Sequence, residues 1–537
     1  MASTVLNLIR LSRAGLVLAL YGVRFVPKGV TPPLPVRLAI VATAPLRLLM
    51  LPFQLGRPRE ARVAMALTKL GPSYIKLGQF LSTRGDLIGP ELARDLAHLQ
   101  DKLPPFADAE ARRAVEEALG GKLSDHFAEF GPPIAAASIA QVHKAVAVDP
   151  VTGARRTVAV KILRPGVERR FQHDLDSYRF AARLIEKFHA PARRLQPVAV
   201  VRNLAETTQL EMDLRLEAAA ISEMADNIKG DQALPDGRFR VPEVDWRRTN
   251  RRVLTIEWID GIAIGDTAKL AAAGHDRRAL GQTVMRSFLR HAMRDGFFHG
   301  DMHQGNLLVE PDGTIAAVDF GIMGRLGPGE RRFLAEILHG LITRDYRRAA
   351  QVHFDAGYVP AKHSVAVFAQ AMRAIGEPIH GRRADEISMA DLLGQLFAYT
   401  DVFDMETRPE LILLQKSMVI VEGVARGLDP GLDMWTAAEP IARGWIEDNL
   451  GLQGRMREAG EGAELLGRVL ADAPRVLQQA EKAATSLAEM SRDGWRLDEA
   501  TVERLAQADA RHRRWQTVAL WIGALALAAM AVGAWVG

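Results

Sequence analysis

Two short motifs carry the side chains best suited to chemistry. Residues 299–306 read HGDMHQGN and residues 319–321 read DFG, which places Asp301, Asn306 and Asp319 on two loops that an apolar segment separates. Carboxylate and amide oxygens are ligands that Mg²⁺ prefers, and a further carboxylate can position an attacking oxygen. These residues therefore predict phosphoryl transfer from a nucleotide that carries Mg²⁺.

The segment between the two motifs predicts a β-hairpin. Residues 307–309 and 315–318 are apolar, and Pro-Asp-Gly at 311–313 supplies a turn. An Asp-x-x-x-x-Asn loop, a short hairpin and then Asp-Phe-Gly match the catalytic loop and metal loop of protein-kinase-like enzymes. We therefore expect Asp301 to position the nucleophile, and Asn306 and Asp319 to bind Mg²⁺, with His303 supporting the loop.

An upstream strand supplies the lysine that such a site needs. Residues 157–163 read TVAVKIL, which matches the Val-Ala-Ile-Lys strand of kinases, so Lys161 is predicted to hold the phosphates of ATP. An acidic side chain on a following helix is expected to orient that lysine. Among the acidic residues of a helix predicted over 198–227, Glu217 is selected for this pairing.

Two further segments are expected to enclose ATP. A small-residue turn between two predicted strands would cover the phosphates; its residues are Ala135, Ala136, Ala137, Ser138 and Ile139. The apolar stretch 252–261 reads as a strand that runs into a connector, and there Glu257 and Ile259 are the residues whose backbone is expected to face adenine.

Composition narrows the possible partners. The chain has no cysteine, which excludes disulfides and thiolate-bound metals. Its 69 Lys and Arg against 64 Asp and Glu leave a net charge of only +5, with no basic stripe interleaved with aromatic residues. We therefore expect no nucleic-acid partner, and an anionic membrane surface suits the small basic excess better.

The carboxyl end predicts a membrane anchor. Residues 517–537 contain no charge over 21 positions and follow the basic cluster RHRR at 511–514. This length can cross a bilayer as one helix, and the positive-inside rule then places the preceding domains in the cytoplasm, at a bacterial inner membrane. A buried helix is the alternative reading. The apolar and basic amino end is compatible with a helix lying on the membrane surface or with packing against the rest of the protein.

The region after Asp-Phe-Gly is short. Only residues 322–329 precede a helix predicted to begin at Glu330, whereas protein kinases place a long substrate-docking segment there. Gly300 also stands where kinases have the arginine of His-Arg-Asp. Both features argue against a protein as the phosphate acceptor.

Changes in composition and periodicity divide the chain into six segments. We predict an apolar and basic membrane-proximal segment at 1–60, a helical extension at 61–131, a kinase-like N-lobe at 132–262, a helical C-lobe at 263–450, an amphipathic linker at 451–516 and a transmembrane anchor at 517–537.

Several motifs together resemble the UbiB family of atypical kinase-like proteins. They are KLGQ at 76–79, AAAS at 135–138, Glu211-x-Asp213 and HGDMHQGN at 299–306. The resemblance implies an α+β, protein-kinase-like two-lobed fold with an N-terminal helical extension and a C-terminal transmembrane helix. It further implies that Lys76 and Gln79 lie over the active site, with Glu211 and Asp213 as polar neighbours.

The same resemblance implies a function. Similar proteins support ubiquinone biosynthesis, so ATP and Mg²⁺ are the expected cofactors and ATPase activity is expected rather than transfer to protein. Membrane lipid, quinone precursors and ubiquinone-biosynthesis enzymes are the implied partners. Two alternatives stay open: a small-molecule kinase of the aminoglycoside or choline type, which would not be expected to carry the Lys-x-Gly-Gln unit, and a lipid-binding scaffold that uses the nucleotide only as a switch.

Overall fold

The computed structural model describes residues 2–23, 58–82, 88, 92, 95–96, 103–149, 151–188, 193, 196–229, 238–380, 399, 402–405 and 408–451. Described residues up to Ile446 belong to one unit, and those from Glu447 belong to a second.

Fifteen helices are found in the described residues. They are α1 Ala2–Leu20, α2 Arg59–Leu70, α3 Pro72–Ser82, α4 Asp108–Leu119, α5 Leu123–His126, α6 Val167–Phe188, α7 Pro197–Glu211, α8 Leu214–Lys229, α9 Thr267–Ala272, α10 Arg277–Arg290, α11 Pro328–Ile342, α12 Tyr346–Asp355, α13 Val365–His380, α14 Pro409–Leu428 and α15 Met434–Leu450. A π-helical turn, His291–Asp295, extends α10.

The strands form two lobes on either side of the connector. The strands are β1 Phe127–Ala136, β2 Ala140–Val148, β3 Arg155–Leu163, β4 Phe239–Arg240, β5 Val253–Glu257, β6 Ile262–Ala263, β7 Phe297–His299, β8 Leu307–Val309, β9 Ile315–Ala317 and β10 Met323–Arg325. The first sheet is antiparallel in the order β1-β2-β3-β5, the second has the order β4-β9-β8-β6, and β10 pairs with β7. This agrees with the predicted two-lobed α+β arrangement.

Alternation along β3 explains why Lys161 faces away from the core of its sheet. Val158, Val160 and Ile162 are buried in one hydrophobic cluster of the N-lobe, and residues of a strand alternate between its two faces. Lys161 therefore projects from the opposite face. The neighbouring strands position it further, because its backbone lies opposite Val142 of β2 and Leu254 of β5.

The helix predicted over 198–227 is wrong as a single element, because the chain breaks it between α7 and α8. The backbone N–H of Leu214 donates to the carbonyl of Arg251 at 3.0 Å instead of continuing the helical pattern. Asp213 accepts a hydrogen bond from the Arg215 amide at 3.2 Å, which is the local bonding that favours a helix start. Glu217 consequently lies in the first turn of α8.

Helices α2 and α3 of the extension share a hydrophobic core with α1 and with helices α6 and α7. Buried residues of α1, α2, α3 and α6 form one cluster, which includes Val17, Leu67, Ile75 and Leu175. Thus α1 packs against the extension, and β1 begins at Phe127, ahead of the boundary predicted at 132.

The predicted fold class is wrong in its transmembrane component. Within the described ranges, no helix combines the length and the apolar character needed to cross a bilayer. Residues 517–537, to which the anchor was assigned, lie outside the described residues, as do residues 452–516 of the amphipathic segment predicted over 451–516.

A close approach between β7 and β10 gives a testable packing prediction. A Cβ added at Gly324 would lie 2.1 Å from Cζ of Phe298, whose side chain is fully buried. We expect Gly324→Ala to lower the free energy of unfolding by about 2 kcal/mol, because the ring has no room to yield. Urea unfolding followed by circular dichroism measures this change.

The matched control is Gly427→Ala in α14, where no atom outside the helix backbone and its chain neighbours lies within 4 Å of the added Cβ. Alanine favours the helical conformation more than glycine does, so this variant should raise the free energy of unfolding by about 0.5 to 1 kcal/mol. Equal unfolding midpoints for the two variants would contradict the packing prediction.

Candidate functional site

Lys161 joins two acidic side chains in the cleft between the lobes. Its Nζ lies 2.8 Å and 2.9 Å from the carboxylate oxygens of Glu217, and 3.1 Å from Oδ1 of Asp319. The Glu217 side chain is only 7 % exposed, whereas that of Asp319 is 46 % exposed. The pairing of Lys161 with Glu217 expected from sequence is thus present, with Glu217 on the buried side and Asp319 on the open side.

These contacts shift the pKa values of all three groups. Burial opposes ionisation of Lys161, but the charges of Asp319 and Glu217 outweigh it and raise the pKa of the lysine. Burial raises the pKa of Glu217 to about 7, although Lys161 pulls in the opposite direction. Burial would also raise the pKa of Asp319, but Lys161 and the Gly321 amide hold it well below its usual range.

The catalytic loop is held by its own backbone and by two histidines. The amide of Asp301 donates to Nδ1 of His299 at 3.1 Å, and the side-chain amide of Asn306 donates to the carbonyl of Asp301 at 3.0 Å. His303 accepts from the Gly305 amide at 3.0 Å, which is a supporting contact of the kind expected for it. The loop therefore fixes Asp301 while its carboxylate keeps 30 % of its side-chain surface exposed.

The catalytic loop also rests on a later helix. The hydroxyl of Ser417 in α14 donates to the carbonyl of Gly300 at 3.0 Å and is buried. A Cβ at Gly300 would lie 2.8 Å from Cγ2 of Ile322, so the close fit of the loop depends on glycine here. The sequence provided no local signal for Ser417, because 117 positions separate it from Gly300.

The predicted hairpin delivers Asp319. Strands β8 and β9 pair with Leu307 opposite Ala317, and Val318 donates its amide to the carbonyl of Asn306 at 3.0 Å. The two predicted Mg²⁺ ligands, Asn306 and Asp319, therefore lie at adjacent ends of one hairpin.

The alanine-rich turn lies between β1 and β2, as predicted. Ala135 and Ala136 end β1, and the turn closes with a hydrogen bond from the Ala137 amide to the Ala140 carbonyl at 2.8 Å. Within the turn, Ser138 and Ile139 are buried. Their role in binding nucleotide stays a prediction.

The connector carries an ion cluster that the sequence did not predict. Arg240 of β4 donates to both oxygens of Glu257 at 2.9 Å and to those of Glu310 at 2.6 Å and 2.8 Å. Glu257 was selected for its backbone, and its side chain instead joins the two sheets; Ile259 is buried just beyond it. Arg240 and Glu310 are 70 positions apart, so local patterns could not reveal the contact.

The Lys-x-Gly-Gln helix contacts the segment that leads to Glu217. Nζ of Lys76 in α3 lies 2.8 Å from Oε2 of Glu211, the last residue of α7. Asp213, in contrast, pairs with Arg215 at 2.6 Å. Gln79 is half-buried on the same helix. The structure thus joins Lys76 to Glu211, while the expectation that Lys76 and Gln79 cover the active site stays a prediction.

The Lys76–Glu211 ion pair should stabilise this contact. Its side chains are 13 % and 16 % exposed, so solvent screens the pair only partly. A double-mutant cycle of Lys76→Met and Glu211→Gln should give a coupling free energy of about 1 to 2 kcal/mol in urea unfolding.

The control cycle uses Arg112 and Asp108, which pair at 2.6 Å within α4 but are 42 % and 46 % exposed. Exposed pairs contribute little, so we expect at most about 0.5 kcal/mol there. A coupling for Lys76–Glu211 no larger than this control would show that the pair does not anchor α3.

Comparison with known proteins agrees with this geometry. Residues 98–353 match the ABC1 atypical kinase-like domain, and residues 372–433 match the UbiB helical domain, which contains Ser417. A solved complex of Rv3197 with erythromycin from Mycobacterium tuberculosis superposes with a TM-score of 0.50 at 24 % identity, covering 76 % of this chain and 97 % of that one. That likeness supports the kinase-like fold.

Relatives extend the match over most of the chain. The "Probable protein kinase UbiB" of Marinobacter nauticus is 40 % identical over 404 residues, which cover 74 % of this chain and 72 % of the relative. The protein of the same name from Xanthomonas campestris pv. campestris is 40 % identical over 426 residues, covering 78 % and 75 %. The resemblance deduced from the motifs is thereby confirmed, and the chain belongs to the UbiB family of atypical kinase-like proteins.

Proposed function

We propose that this chain binds ATP with Mg²⁺ in the cleft and catalyses ATP hydrolysis in support of ubiquinone biosynthesis. The observation that carries the proposal is the triad of Lys161, Glu217 and Asp319, joined within 3.1 Å. A lysine held by a buried carboxylate and facing an exposed one is the arrangement that grips nucleotide phosphates beside their metal ion.

The donor set fits Mg²⁺. Asn306 uses its amide nitrogen on the Asp301 carbonyl, so its amide oxygen remains as a cation ligand, and Asp319 supplies a carboxylate. Among the described residues, no group of three or more His, Asp or Glu side chains could hold a metal by itself. A nucleotide site asks for less, because phosphates and water complete the octahedral shell of Mg²⁺. When bound, the ion would neutralise charge on the phosphates.

The other residues of the site orient Lys161 and accept a proton. Glu217 holds Lys161 against the phosphates, and Asp301, fixed by His299, accepts the proton of the attacking oxygen. Water is the attacking molecule we favour. Residues 323–325 already pair with β7, so the chain returns to the lobe directly after Asp319 instead of extending as a peptide-docking segment.

A groove beside the catalytic loop favours a second candidate, transfer of phosphate to a small-molecule acceptor. The groove has a volume of about 490 Å³ and is lined by Ala263, Gly265, Asp266, Thr267, Ala268, Gln304 and Gly305. The groove is open to solvent and is lined in part by the loop that carries Asp301. If hydrolysis is the reaction, ADP and free phosphate form in equal amounts without any added acceptor. If transfer is the reaction, ADP forms only when an acceptor is present, and the phosphoryl group is then found on the acceptor instead of as free phosphate.

The cellular part of the proposal concerns ubiquinone at the cytoplasmic face of a bacterial inner membrane. It is supported by membership of the UbiB family. The test is the ubiquinone content of a bacterial strain that lacks its own UbiB-family protein and carries this chain.

We expect the wild-type chain to restore ubiquinone and Asp319→Asn to fail. The matched control is Asp312→Asn, an exposed carboxylate in the turn of the same hairpin that accepts from the Thr314 amide at 2.8 Å. Restoration by Asp319→Asn at equal protein level would overturn the requirement for nucleotide chemistry.

A further inference from the structure

A four-residue segment within the extension contacts both the core around helices α2 and α3 and the sheet that carries Lys161. This segment, residues 103–106 and here named the linker, precedes α4. Leu103 at its start packs against the core around helices α2 and α3. Phe106 at its end packs against the core of the sheet and α4. Movement of the linker must therefore disturb one core or the other.

Arg164, directly after β3, binds the linker and the alanine-rich turn at once. Its Nη2 donates to the carbonyl of Pro104 at 2.8 Å and to that of Ala137 at 2.9 Å, and its Nε donates to Ala137 at 3.1 Å. The guanidinium also lies 5.5 Å from the centre of the Phe106 ring. Its backbone amide donates to the Ile139 carbonyl at 2.8 Å. One side chain thus spans both segments.

A second, buried contact fixes the other end of the linker. Oε1 of Gln141 accepts a hydrogen bond from the Phe106 amide at 2.9 Å, and the Gln141 side chain is fully buried. The orientation of this amide is set by His143, whose Nε2 lies 2.8 Å from Nε2 of Gln141 and whose Nδ1 contacts the Gly131 carbonyl at 2.9 Å. His143 donates from Nδ1 and accepts at Nε2, so Gln141 presents oxygen to the linker.

We propose that Arg164 is a positioning residue that couples the alanine-rich turn to the docked linker, so that closure of the turn over nucleotide and seating of the helical extension favour each other. The proposal rests on the proposed nucleotide site at Lys161. Coupling between two sites is reciprocal, so whatever orders the turn also orders the linker. Arginine suits this position because its planar fork donates to two carbonyls simultaneously, whereas lysine presents a single charged nitrogen.

The first half of the test needs no nucleotide. Pro104 and Pro105 carry no amide hydrogen, so exchange in the linker reports chiefly on Phe106. In the full-length protein, Arg164→Gln should accelerate exchange of the Phe106 amide by about tenfold, with Arg164→Lys in between. The control is Arg156→Gln on the same strand, whose guanidinium pairs with Glu243 at 3.1 Å, and it should leave that exchange unchanged.

The second half adds a non-hydrolysable ATP analogue with Mg²⁺. In wild type and Arg156→Gln the analogue should slow exchange both in residues 158–162 and at Phe106. In Arg164→Gln the analogue should slow exchange in residues 158–162 but not at Phe106. The KM for ATP hydrolysis should rise about fivefold in Arg164→Gln while kcat changes less than twofold, since the triad and Asp301 are untouched.

The outcomes separate this inference from the proposed function. Analogue protection of 158–162 in every variant, with equal protection of Phe106, would overturn the coupling and leave the nucleotide site standing. Absence of protection at 158–162 in wild type would overturn the nucleotide site and its coupling together. Unchanged exchange at Phe106 in nucleotide-free Arg164→Gln would overturn the contact itself, and the thermal unfolding of each variant shows whether the fold is retained.

Discussion

Asp319→Asn is expected to reduce phosphate release from Mg·ATP by about 10³-fold, the loss typical of removing a charged group that acts on the developing transition state. The substitution keeps the shape of the side chain and one oxygen, but it removes the negative charge that the exposed face of the triad presents to a metal ion. It also removes the ion pair with Lys161, which lies 3.1 Å away. Phosphate release by the purified full-length protein measures the effect.

Asp312→Asn provides the control for this experiment, because it makes the same chemical change at an exposed turn of the same hairpin. It should retain the wild-type rate. Unfolding curves of both variants must show an intact protein. An Asp319→Asn rate above a tenth of wild type would show that this carboxylate does not hold the metal.

The second large effect concerns stability. Lys161→Met should lower the free energy of unfolding by about 3 kcal/mol at pH 8, because it leaves Glu217 buried beside Asp319 without its counter-charge. Urea unfolding at several pH values between about 5 and 8 measures the change.

The difference in free energy of unfolding between wild type and Lys161→Met should become smaller as the pH falls. Burial raises the pKa of Glu217 to about 7 in the folded wild type, above its ordinary value of 4.5, and loss of Lys161 removes the charge that pulls this pKa down. A carboxyl with a raised pKa binds its proton more tightly in the folded state, so protonation stabilises the fold as pH falls through the folded pKa towards the unfolded one. In wild type, Lys161 has a raised pKa and Asp319 a lowered one, so their contributions stay constant across this window.

The matched variant is Lys161→Met combined with Glu217→Met. Removing both partners leaves no buried carboxylate, and hydrophobic replacement of a whole ion pair is often close to neutral. The double variant should therefore be more stable at pH 8 than Lys161→Met alone and much less dependent on pH. Equal stability of the single and double variants would show that Glu217 does not lower the free energy of unfolding when Lys161 is absent.

The sequence predicted the elements that carry the site residues, because these elements are short and regular. The hairpin at 307–309 and 315–317 occurs as expected. The contact of Lys161 with Glu217 was also expected, although it joins positions 56 apart. Motif order carried that prediction, since the lysine strand, an acidic helix and the metal loop occur together.

Hydrophobic periodicity predicted the wrong helix bounds where a tertiary contact overrides it. The pattern over 198–227 is helical throughout, yet the Arg251 carbonyl takes the amide of Leu214 and ends α7. No local pattern could identify Arg240, Arg164 or Ser417, because each binds partners far away in the chain. Long-range polar contacts of this kind follow from the assembled fold and are not encoded in residue spacing.

The ion cluster at the connector has a mechanical consequence. Arg240 and Glu310 belong to the sheet of one lobe, whereas Glu257 ends a strand of the other, and charge-assisted hydrogen bonds of 2.6 to 2.9 Å join all three. Rotation of the lobes about any axis that lengthens these bonds breaks several of them together. The connector is therefore a stiff joint, which favours rotations of the lobes that leave these bonds intact.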